Sequence, residues 1–328
     1  MVQTEIGKDV AKARALLERG LTVAIPTETV YGLAANALNE DAVLQVFEIK
    51  DRPHFDPLIV HLASSEQVIS YATEFPEWAE RLAERFWPGP LTIVLPKRDV
   101  IPDIVTSGLG TVALRVPSHP MTLDLLSTME FPLAAPSANP FGYVSPTTAK
   151  HVMDQLGGKI PYILDGGECA VGVESTIVAE RDGRITVLRL GGVSVEEIEE
   201  VVDSIKWIVD SGESLLPTTH CSLPTTPGSL ESHYAPRTPI KLGAIDLSGY
   251  NPNEVGVLSF QSRYASVPPE HQVVLSPHGD VREAAKYLFA GMRYLDSLGL
   301  RVILAEALPE VGLGRAVNDR LRRAAAES

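Results

Sequence analysis

Short apolar runs alternate with amphipathic stretches along much of the chain. Apolar residues spaced as on one face of a helix predict helices at 10–19, 40–50, 76–86, 119–128, 147–156 and 194–204. Compact aliphatic runs lie between them and predict strands at 21–25, 58–62, 91–95, 111–116, 133–135, 162–164, 176–179 and 185–190. Gly20 is expected to end the first helix, and Asn39 to cap the second. This alternation predicts an α/β protein with one large, twisted, mixed sheet.

The alternating pattern breaks between residues 205 and 239, where clusters of Ser, Thr, Gly and Pro have the composition of loops. A stretch of this length without periodicity is usually a linker, a lid or a disordered segment. Beyond it, the pattern predicts strands at 254–260, 272–276 and 302–306 and a long helix at 281–298. We therefore expect a large domain over 1–205, a linker or lid over 206–239 and a smaller α/β domain over 240–328.

The chain is acidic, with 28 Lys and Arg against 42 Asp and Glu and a net charge of −14. Proteins bind duplex nucleic acid largely by neutralising its phosphates with basic side chains. The acidic total therefore argues against stable nucleic-acid binding, and aromatic residues, at 6%, offer little for base stacking. In such a chain, a local cluster of cations indicates a small anionic ligand.

Neither a membrane span nor a secretion signal is predicted. No apolar run approaches the roughly 20 residues that a spanning helix needs, and the first residues lack the basic-then-apolar plan of a signal peptide. Cys169 and Cys221 lie far apart, without the CxxC or Cys/His spacing of a metal site. We expect free thiols and a cytoplasmic protein.

Two short polar segments carry the strongest chemical signal. Lys50-Asp51-Arg52 ends the second predicted helix, and Ser137-Ala138-Asn139 follows an apolar run. Two neighbouring cations suit a polyphosphate, whereas a serine and an amide on a tight turn suit phosphate oxygens or a nucleoside. Lys50 falls on the apolar stripe of Val43 and Phe47. It either turns inward or remains a solvated cation that the helix dipole favours.

Polar residues on otherwise apolar strands are further candidates. By the two-residue period of a strand, Arg115 shares a face with small residues and meets either a carboxylate partner or an anionic ligand. Arg189 is a site residue or an exposed charge at a strand end. His61, on the same face as Ile59, is a hydrogen-bonded core residue or a ligand contact. Ser175 offers a hydroxyl at the start of a strand or is a plain turn residue.

Several common catalytic motifs are absent from the sequence. It contains no GxxxxGK[ST] loop, no GxSxG elbow and no HExxH. Gly108-Leu109-Gly110 lacks the strand–turn–helix context of a dinucleotide fingerprint. A nucleotide would therefore be held without a P-loop.

Six segments, in this order along the chain, together resemble one protein family. They are Pro26-Thr27-Glu28-Thr29-Val30-Tyr31-Gly32-Leu33, Lys50-Asp51-Arg52-Pro53, Pro57-Leu58-Ile59-Val60-His61, Trp87-Pro88-Gly89-Pro90-Leu91-Thr92, Ala135-Pro136-Ser137-Ala138-Asn139 and Gly172-Val173-Glu174-Ser175-Thr176-Ile177. The set resembles the YrdC-type threonylcarbamoyl-AMP synthases over about residues 5–205. The remainder is similar to the long form of that family, in which a linker leads to a small Rossmann-like domain. Its linker motif reads here Pro227-Gly228-Ser229-Leu230-Glu231-Ser232-His233-Tyr234-Ala235-Pro236.

The resemblance implies a twisted α/β sheet with a concave cavity and an enzyme, an L-threonylcarbamoyladenylate synthase. Its reaction converts L-threonine, bicarbonate or CO2, and ATP into L-threonylcarbamoyl-AMP and pyrophosphate. The product would feed the threonylcarbamoyladenosine modification of tRNA through a separate transferase complex. Mg²⁺ would bridge the ATP phosphates without a dedicated protein cage.

Residue roles follow from the matching motif positions. The resemblance implies ATP contacts by Lys50, Arg52, Thr111, Ser137, Asn139, Ser145 and Arg189. It implies threonine contacts by Thr27, His61, Arg115, Ala135 and Ser175, with Arg115 pairing the carboxylate. Lys50 and Arg52 would also be catalytic, because they stabilise phosphoryl charge. His233 and Tyr234 of the linker would close over the cavity and contact the nucleotide.

Two other functions stay open as alternatives. An RNA-binding module would use the concave sheet, and it would show binding that falls steeply with salt and no threonine-dependent use of ATP. A related carbamoyl transfer in metallocentre maturation would require zinc-binding and acylphosphatase modules. With two cysteines and no such modules in its pattern, this chain favours the synthase.

Overall fold

The structure, a computed structural model, describes residues 2–53, 55–202, 205–207 and 233–326. Within these residues the chain forms two α/β units, each built on its own sheet. Most of the predicted linker, together with Cys221, lies outside the described residues. Cys169 is a buried free thiol, as expected.

The larger unit is built on a mixed sheet. Its described strands are Glu5–Gly7 (β1), Val23–Ile25 (β2), Gly32–Asn36 (β3), Ile59–His61 (β4), Leu91–Pro96 (β5), Thr111–Arg115 (β6), Leu133–Ala134 (β7), Tyr162–Leu164 (β8), Thr176–Arg181 (β9), Arg184–Arg189 (β10) and Ile205–Trp207 (β11). They pair in the order β1-β8-β2-β3-β7-β4-β6-β5-β9-β10-β11. β4 and β6 are parallel neighbours, and His61 lies opposite Arg115 in their register. Two polar side chains thus meet at the carboxyl ends of adjacent strands.

Helices pack against both faces of this sheet, and the core follows the two-residue period of the strands. The described helices of the unit are Val10–Glu18 (α1), Glu40–Lys50 (α2), Val68–Tyr71 (α3), Glu77–Phe86 (α4), Asp103–Thr106 (α5), Pro120–Ser127 (α6), Ala149–Leu156 (α7) and Val195–Glu199 (α8), with a 3-10 turn at Ser65–Gln67. Ala24 and Leu33 belong to one apolar cluster, whereas Val23 and Ala34 belong to a second one with α1 and α6. The Asn39 side chain caps α2 by accepting from the Ala42 amide at 3.2 Å, as predicted.

The smaller unit has a parallel sheet. Its described strands and helices are Ile240–Leu242 (β12), Val255–Ser259 (β13), Gln272–Val274 (β14), Val281–Ser297 (α9), Val302–Ala305 (β15) and Gly314–Ala325 (α10), with 3-10 turns at Pro252–Glu254 and Pro269–His271. The strand order is β12-β15-β13-β14, and every pairing is parallel. None of the helices that the structure describes is both long and apolar enough to cross a membrane.

The two units share an apolar core. Val30, Val144 and Val173 of the larger unit belong to the same buried cluster as Leu288 and Phe289 of α9. Contact between the units is therefore made by packed side chains, and it lies next to the motif segments that contain Val30 and Val173.

The predicted fold class is confirmed: a large mixed sheet carries helices, and a second unit has a parallel sheet. All eight strands predicted for the first 205 residues are present within a few residues of their expected bounds. The sequence pattern missed β1, β3, β11 and β12 and the helix α10, and it extended α8 past its observed end at Glu199. The proposed domain boundaries stay predictions.

Candidate active site

A cavity opens where the carboxyl ends of β4 and β6 meet the β9–β10 pair. Ligands of open α/β sheets commonly bind outside the carboxyl ends of strands. The space free of protein atoms is about 570 Å³, part of it open to solvent. Its lining residues are Thr27, Thr29, Val30, Gly32, Arg52, Pro57, Ile59, His61, Arg115, Ala135, Pro136, Ser137, Glu174, Ser175, Arg189, His233 and Tyr234.

The cavity brings together ten of the residues to which the sequence assigned a site role. They are Thr27, Arg52, His61, Arg115, Ala135, Ser137, Ser175, Arg189, His233 and Tyr234. These residues come from segments more than 200 positions apart, so the fold itself assembles the site. Their roles in binding remain predictions.

Arg115 is a fixed cation at the end of β6, and it is 4% exposed. Its Nη2 donates to Glu28 Oε1 at 2.7 Å and to the Thr29 hydroxyl at 3.0 Å. Its Nε donates to the Gly89 carbonyl at 3.2 Å. Of the two interpretations left open by the sequence, the carboxylate partner is present, and the side chain nevertheless lines the cavity. A guanidinium held in this way is oriented before any anion arrives.

His61 sits beside Arg115 and is buried. Burial, reinforced by the positive charge of Arg115, lowers the pKa of His61 to about 3. The imidazole is therefore neutral near pH 7. A neutral ring can contact an amino-acid substrate without adding charge.

Ser175 and Arg189 also line the cavity, and both are buried. The Ser175 hydroxyl lies 2.8 Å from that of Thr92 on β5. Arg189 Nη2 donates to the Ser175 carbonyl at 2.9 Å and to its hydroxyl at 3.1 Å. Arg189 is therefore not an exposed charge at a strand end, which was one of its two interpretations.

Lys50 and Arg52 end α2 in buried positions, as the apolar stripe of that helix indicates. Lys50 Nζ donates to the Ser137 carbonyl at 2.5 Å and to the Asn139 carbonyl. Burial, with the nearby charge of Arg52, holds the pKa of Lys50 well below its usual value. Arg52 pairs with Asp56 at 2.9 Å and lines the cavity, whereas Lys50 lies behind the Ser137 backbone. Arg52 thus belongs to the wall of the cavity, and Lys50 lies behind that wall.

Four predicted ATP contacts do not line the cavity: Lys50, Thr111, Asn139 and Ser145. Thr111 starts β6, opposite Pro96 and at the far end of the strand from Arg115. The Asn139 amide donates to the Pro140 and Tyr143 carbonyls at 2.9 and 2.8 Å. Ser145 donates its hydroxyl to Glu174 at 2.6 Å, so it supports a carboxylate that does line the cavity.

Thr27 and Ala135 shape a tight corner of the site. The Thr27 hydroxyl donates to the Val30 carbonyl at 2.6 Å and accepts from the Thr29 and Val30 amides at 3.2 Å. Gly32 lies beside Ala135, and a side-chain carbon at this glycine would come within 3.2 Å of the Ala135 Cβ. A side chain at Gly32 would therefore require Ala135 to shift by a few tenths of an ångström.

His233 and Tyr234 reach the cavity from the described end of the linker. His233 packs edge-on against Phe141 and Tyr234, at 5.6 and 4.1 Å between ring centroids. Tyr234 has a left-handed backbone with φ 62° and stacks on Phe289 of α9 at 5.6 Å. Burial, reinforced by the nearby Arg52, Lys50, Arg320 and Arg189, lowers the pKa of His233 to about 3. The ring is thus surrounded by four cations.

Sequence reasoning assigned no role to several polar residues of the site. Glu28, Thr29 and Glu174 lie within the motif segments, but no role was predicted for their side chains. Asp56 follows Arg52 at the spacing of one helical turn, which was an available signal. Arg320, from α10, reaches Glu174 at 3.0 Å, and nothing in the local pattern around it indicates that contact.

Two family models cover the chain. One described as "Telomere recombination" matches residues 15–191, and one described as "Threonylcarbamoyl-AMP synthase, C-terminal domain" matches residues 193–326. Proteins named threonylcarbamoyl-AMP synthase from Pyrococcus abyssi and Bacillus subtilis are 42% and 40% identical to it. These alignments cover 95% and 96% of this chain and 92% of each relative. A crystal structure of Pyrococcus abyssi Sua5 complexed with L-threonine shares 41% identity and a TM-score of 0.87, covering 99% of this chain and 97% of that one.

The mixed sheet, the parallel second unit and the cavity with buried cations define a two-unit α/β protein of the Sua5/YrdC class. With both family models matched and such identity over nearly the whole length, the chain belongs to the threonylcarbamoyl-AMP synthase family. The resemblance carried by the six motif segments and the linker motif is thereby confirmed.

Proposed function

We propose that this protein makes L-threonylcarbamoyl-AMP from L-threonine, bicarbonate or CO2, and ATP, releasing pyrophosphate. The unprotonated threonine amine attacks the carbon of CO2 and releases a proton, or attacks the carbon of bicarbonate and releases water, and forms a carbamate. A carbamate oxygen then attacks the α-phosphorus of ATP, and the bond to pyrophosphate breaks. The product would pass to a tRNA threonylcarbamoyl transferase, as the family resemblance implies.

A single observation carries the proposal: one cavity joins a neutral, amino-acid-sized corner to a cluster of buried cations. The cavity is lined by Arg115 and the neutral His61 and also by Arg52 and Arg189. An acid and a polyphosphate could thus bind side by side, which is what joining them requires. Most of the acceleration would come from positioning and from stabilising phosphoryl charge.

Threonine would occupy the corner formed by Thr27, His61, Arg115, Ala135 and Ser175. The Arg115 guanidinium would pair the carboxylate, because its orientation is already fixed by Glu28 and Thr29. The structure of Pyrococcus abyssi Sua5 complexed with L-threonine supports threonine as a ligand of this fold. ATP would lie toward Arg52, Ser137 and Arg189. Lys50, Asn139 and Ser145 would then support the nucleotide subsite from behind its lining residues. Thr111, at the far end of β6 from Arg115, would contact ATP only after a change in conformation.

Magnesium would enter on the phosphates of ATP, as part of the substrate. Among residues 2–53, 55–202 and 233–326, no group of three or more His, Cys, Asp or Glu is arranged to hold a metal. The Glu174 carboxylate is bound by Ser145 and Arg320, which fix its orientation in the cavity wall. Mg²⁺ usually keeps several waters and relies on substrate phosphates, which suits such a site.

His233 and Tyr234 would form the closing wall of the cavity. A carbamate decomposes in water, so a wall that excludes solvent would protect it. Both residues are buried and are held by aromatic contacts. Replacing Tyr234 with Ala should therefore raise the KM for ATP, and an unchanged KM would remove Tyr234 from the nucleotide subsite.

The reaction is tested by measuring pyrophosphate release from ATP with and without threonine and with and without bicarbonate. We expect release only when both are present, and serine in place of threonine would report on pocket size. In parallel, Arg52→Ala should raise the barrier by about 2–4 kcal/mol through lost phosphate stabilisation. Lys50→Ala should also lower the rate, because the Ser137 and Asn139 carbonyls lose the side chain that holds this edge of the cavity. Arg14→Ala, in an exposed pair with Glu18, is the matched control and should be fully active. Full activity of both Lys50→Ala and Arg52→Ala would show that their role is misassigned.

A further inference from the structure

A glycine in the site wall lies directly against the C-terminal unit. Gly172, with φ +80°, precedes the Glu174-Ser175 wall of the cavity. A side-chain carbon at Gly172 would lie 2.4 Å from Lys286 Cα and 2.4 Å from its carbonyl oxygen, both backbone atoms of α9. Only a residue without a Cβ permits this approach. The wall of the site and the helix of the second unit are thus packed backbone to backbone.

Arg320 of α10 extends that contact into the site. Its side chain is fully buried, and its Nε donates to Glu174 Oε2 at 3.0 Å. The other Glu174 oxygen accepts the Ser145 hydroxyl at 2.6 Å. The Arg320 guanidinium carbon also lies 5.2 Å from the centroid of the Tyr234 ring, a cation–π distance. One arginine therefore contacts two residues that line the cavity, Glu174 and Tyr234.

A second buried arginine, Arg293 of α9, contacts the segment that contains Ser145. Arg293 Nε donates to the Ser145 carbonyl at 3.1 Å, and its Nη2 donates to the Val144 carbonyl. Ser145 is thus fixed through its backbone by Arg293 and through its hydroxyl by the carboxylate that Arg320 holds. Both α9 and α10 therefore hold residues in or next to the cavity wall, namely Ser145, Glu174 and Tyr234.

We infer that Arg320 is a positioning residue for the nucleotide subsite, through which the C-terminal unit sets the geometry of Glu174, Ser145 and Tyr234. The inference rests on the proposed function for the identity of the nucleotide, ATP. Two of the three residues that Arg320 orders directly or through Glu174 were assigned to ATP. In the threonine corner, His61 and Arg115 lie on other strands, and the Ser175 hydroxyl, next to Glu174, is held separately by Thr92 and Arg189. Loss of Arg320 should therefore weaken ATP binding selectively.

The test is Arg320→Gln in the full chain, with ATP and threonine affinities measured separately by calorimetry. We expect ATP affinity to fall about tenfold or more, and threonine affinity to change by less than about threefold, by analogy with coupled neighbouring residues. Arg320→Lys keeps the charge but lacks the planar fork, so its ATP affinity should lie between those of Arg320→Gln and the wild type. Arg322→Gln, on the same helix in an exposed pair with Glu310, should match the wild type.

A second variant covers the case in which Arg320→Gln leaves an unpaired buried carboxylate and does not fold. Arg320→Met combined with Glu174→Gln removes both charges, a change that buried pairs often tolerate. If this double variant folds and binds ATP as the wild type does, the inference is wrong. Equal weakening of ATP and threonine binding by Arg320→Gln would also overturn it, since that pattern indicates a general loss of structure. If instead the wild-type protein binds ATP but shows no threonine-dependent release of pyrophosphate, only the proposed reaction is overturned.

Discussion

At the scale of single residues, the cations of the cavity are already held by internal partners. Arg115 contacts Glu28, Arg52 contacts Asp56, and the Lys50 ammonium contacts two carbonyls. Each partner fixes a side chain that would otherwise lose rotamer freedom when a ligand bound. The cost of ordering these side chains is thus met during folding, and binding energy remains for the ligand.

Arg115 gives the sharpest residue-scale prediction. Lysine at this position keeps the charge but cannot reproduce the contacts to Glu28, Thr29 and Gly89 from one planar group. We expect Arg115→Lys to weaken threonine affinity by about 1.5–3 kcal/mol, the range for hydrogen bonds to charged groups. ATP affinity should change much less. Calorimetric titration measures the affinity for each ligand, and Arg14→Lys at the surface serves as the control. Equal loss for both ligands would place Arg115 outside the threonine corner.

How much of the site could be predicted depended on the range of each contact. The helical spacing to Val43 and Phe47, all within α2, offered an inward turn of Lys50 as one of two interpretations, and the burial of Lys50 decides for it. The partner of Arg115 could not be predicted, because Glu28 lies 87 residues away and only the sheet brings the two together. Arg320 lies 146 residues from Glu174, and no local periodicity links them.

At the scale of elements, the strands that the pattern missed are those that carry weak strand signals. β3 reads Gly-Leu-Ala-Ala-Asn, without a β-branched residue, and it is a strand because it pairs with β2 and β7. β1 is a three-residue edge strand with a mixed composition. α10 is rich in charged residues and has no side-chain cap, so it too lacked a start signal. These strands and this helix form because of contacts with residues that are distant in the sequence.

Two glycines with positive φ distinguish backbone strain from close packing. Gly183 forms the β9–β10 turn with Asp182, at φ 71° and 52°, and a Cβ there would meet nothing within 4 Å. Gly172 has a similar φ of 80° but lies against the α9 backbone. The first glycine serves the turn alone, and the second also joins the two units.

Substituting each glycine should separate these effects. Gly172→Ala combines an unfavourable φ with overpacking, and it should lower the free energy of unfolding by about 2–4 kcal/mol. Gly183→Ala carries only the conformational strain and should cost about 1 kcal/mol. Urea unfolding of both variants measures the difference. Similar values for the two would mean that the contact with α9 contributes little.

At the scale of the whole molecule, charge is distributed unevenly. The chain carries a net charge of −14, yet Lys50, Arg52, Arg189 and Arg320 all act on the buried ring of His233. Concentrating cations inside an acidic protein favours a small anion over extended nucleic acid, in line with the sequence argument. Burial, together with these cations for His233 and with Arg115 for His61, keeps both imidazoles neutral in the folded state.

Those two histidines predict how stability depends on pH. The pKa of each is lowered to about 3 in the folded protein, whereas an unfolded histidine titrates near 6.5. Below about pH 6.5 the unfolded state therefore binds more protons, and the free energy of unfolding should fall by about 1.4 kcal/mol per pH unit for each histidine. Above about pH 6.5 both histidines are mostly neutral in the folded and the unfolded state, so their titration no longer changes the free energy of unfolding.

Urea unfolding at pH 7.5, 6.5 and 5.5, values chosen to bracket the histidine range at about 6.5, would measure this slope. His61→Gln removes one titrating group, so it should reduce the slope below pH 6.5 by about 1.4 kcal/mol per unit, whatever its effect at neutral pH. His278→Gln, at an exposed position of the C-terminal unit, should leave the slope unchanged. An unaltered slope in His61→Gln would mean that the imidazole takes up its proton inside the folded protein. Burial and the charge of Arg115 would then not suffice to keep the ring neutral at acidic pH.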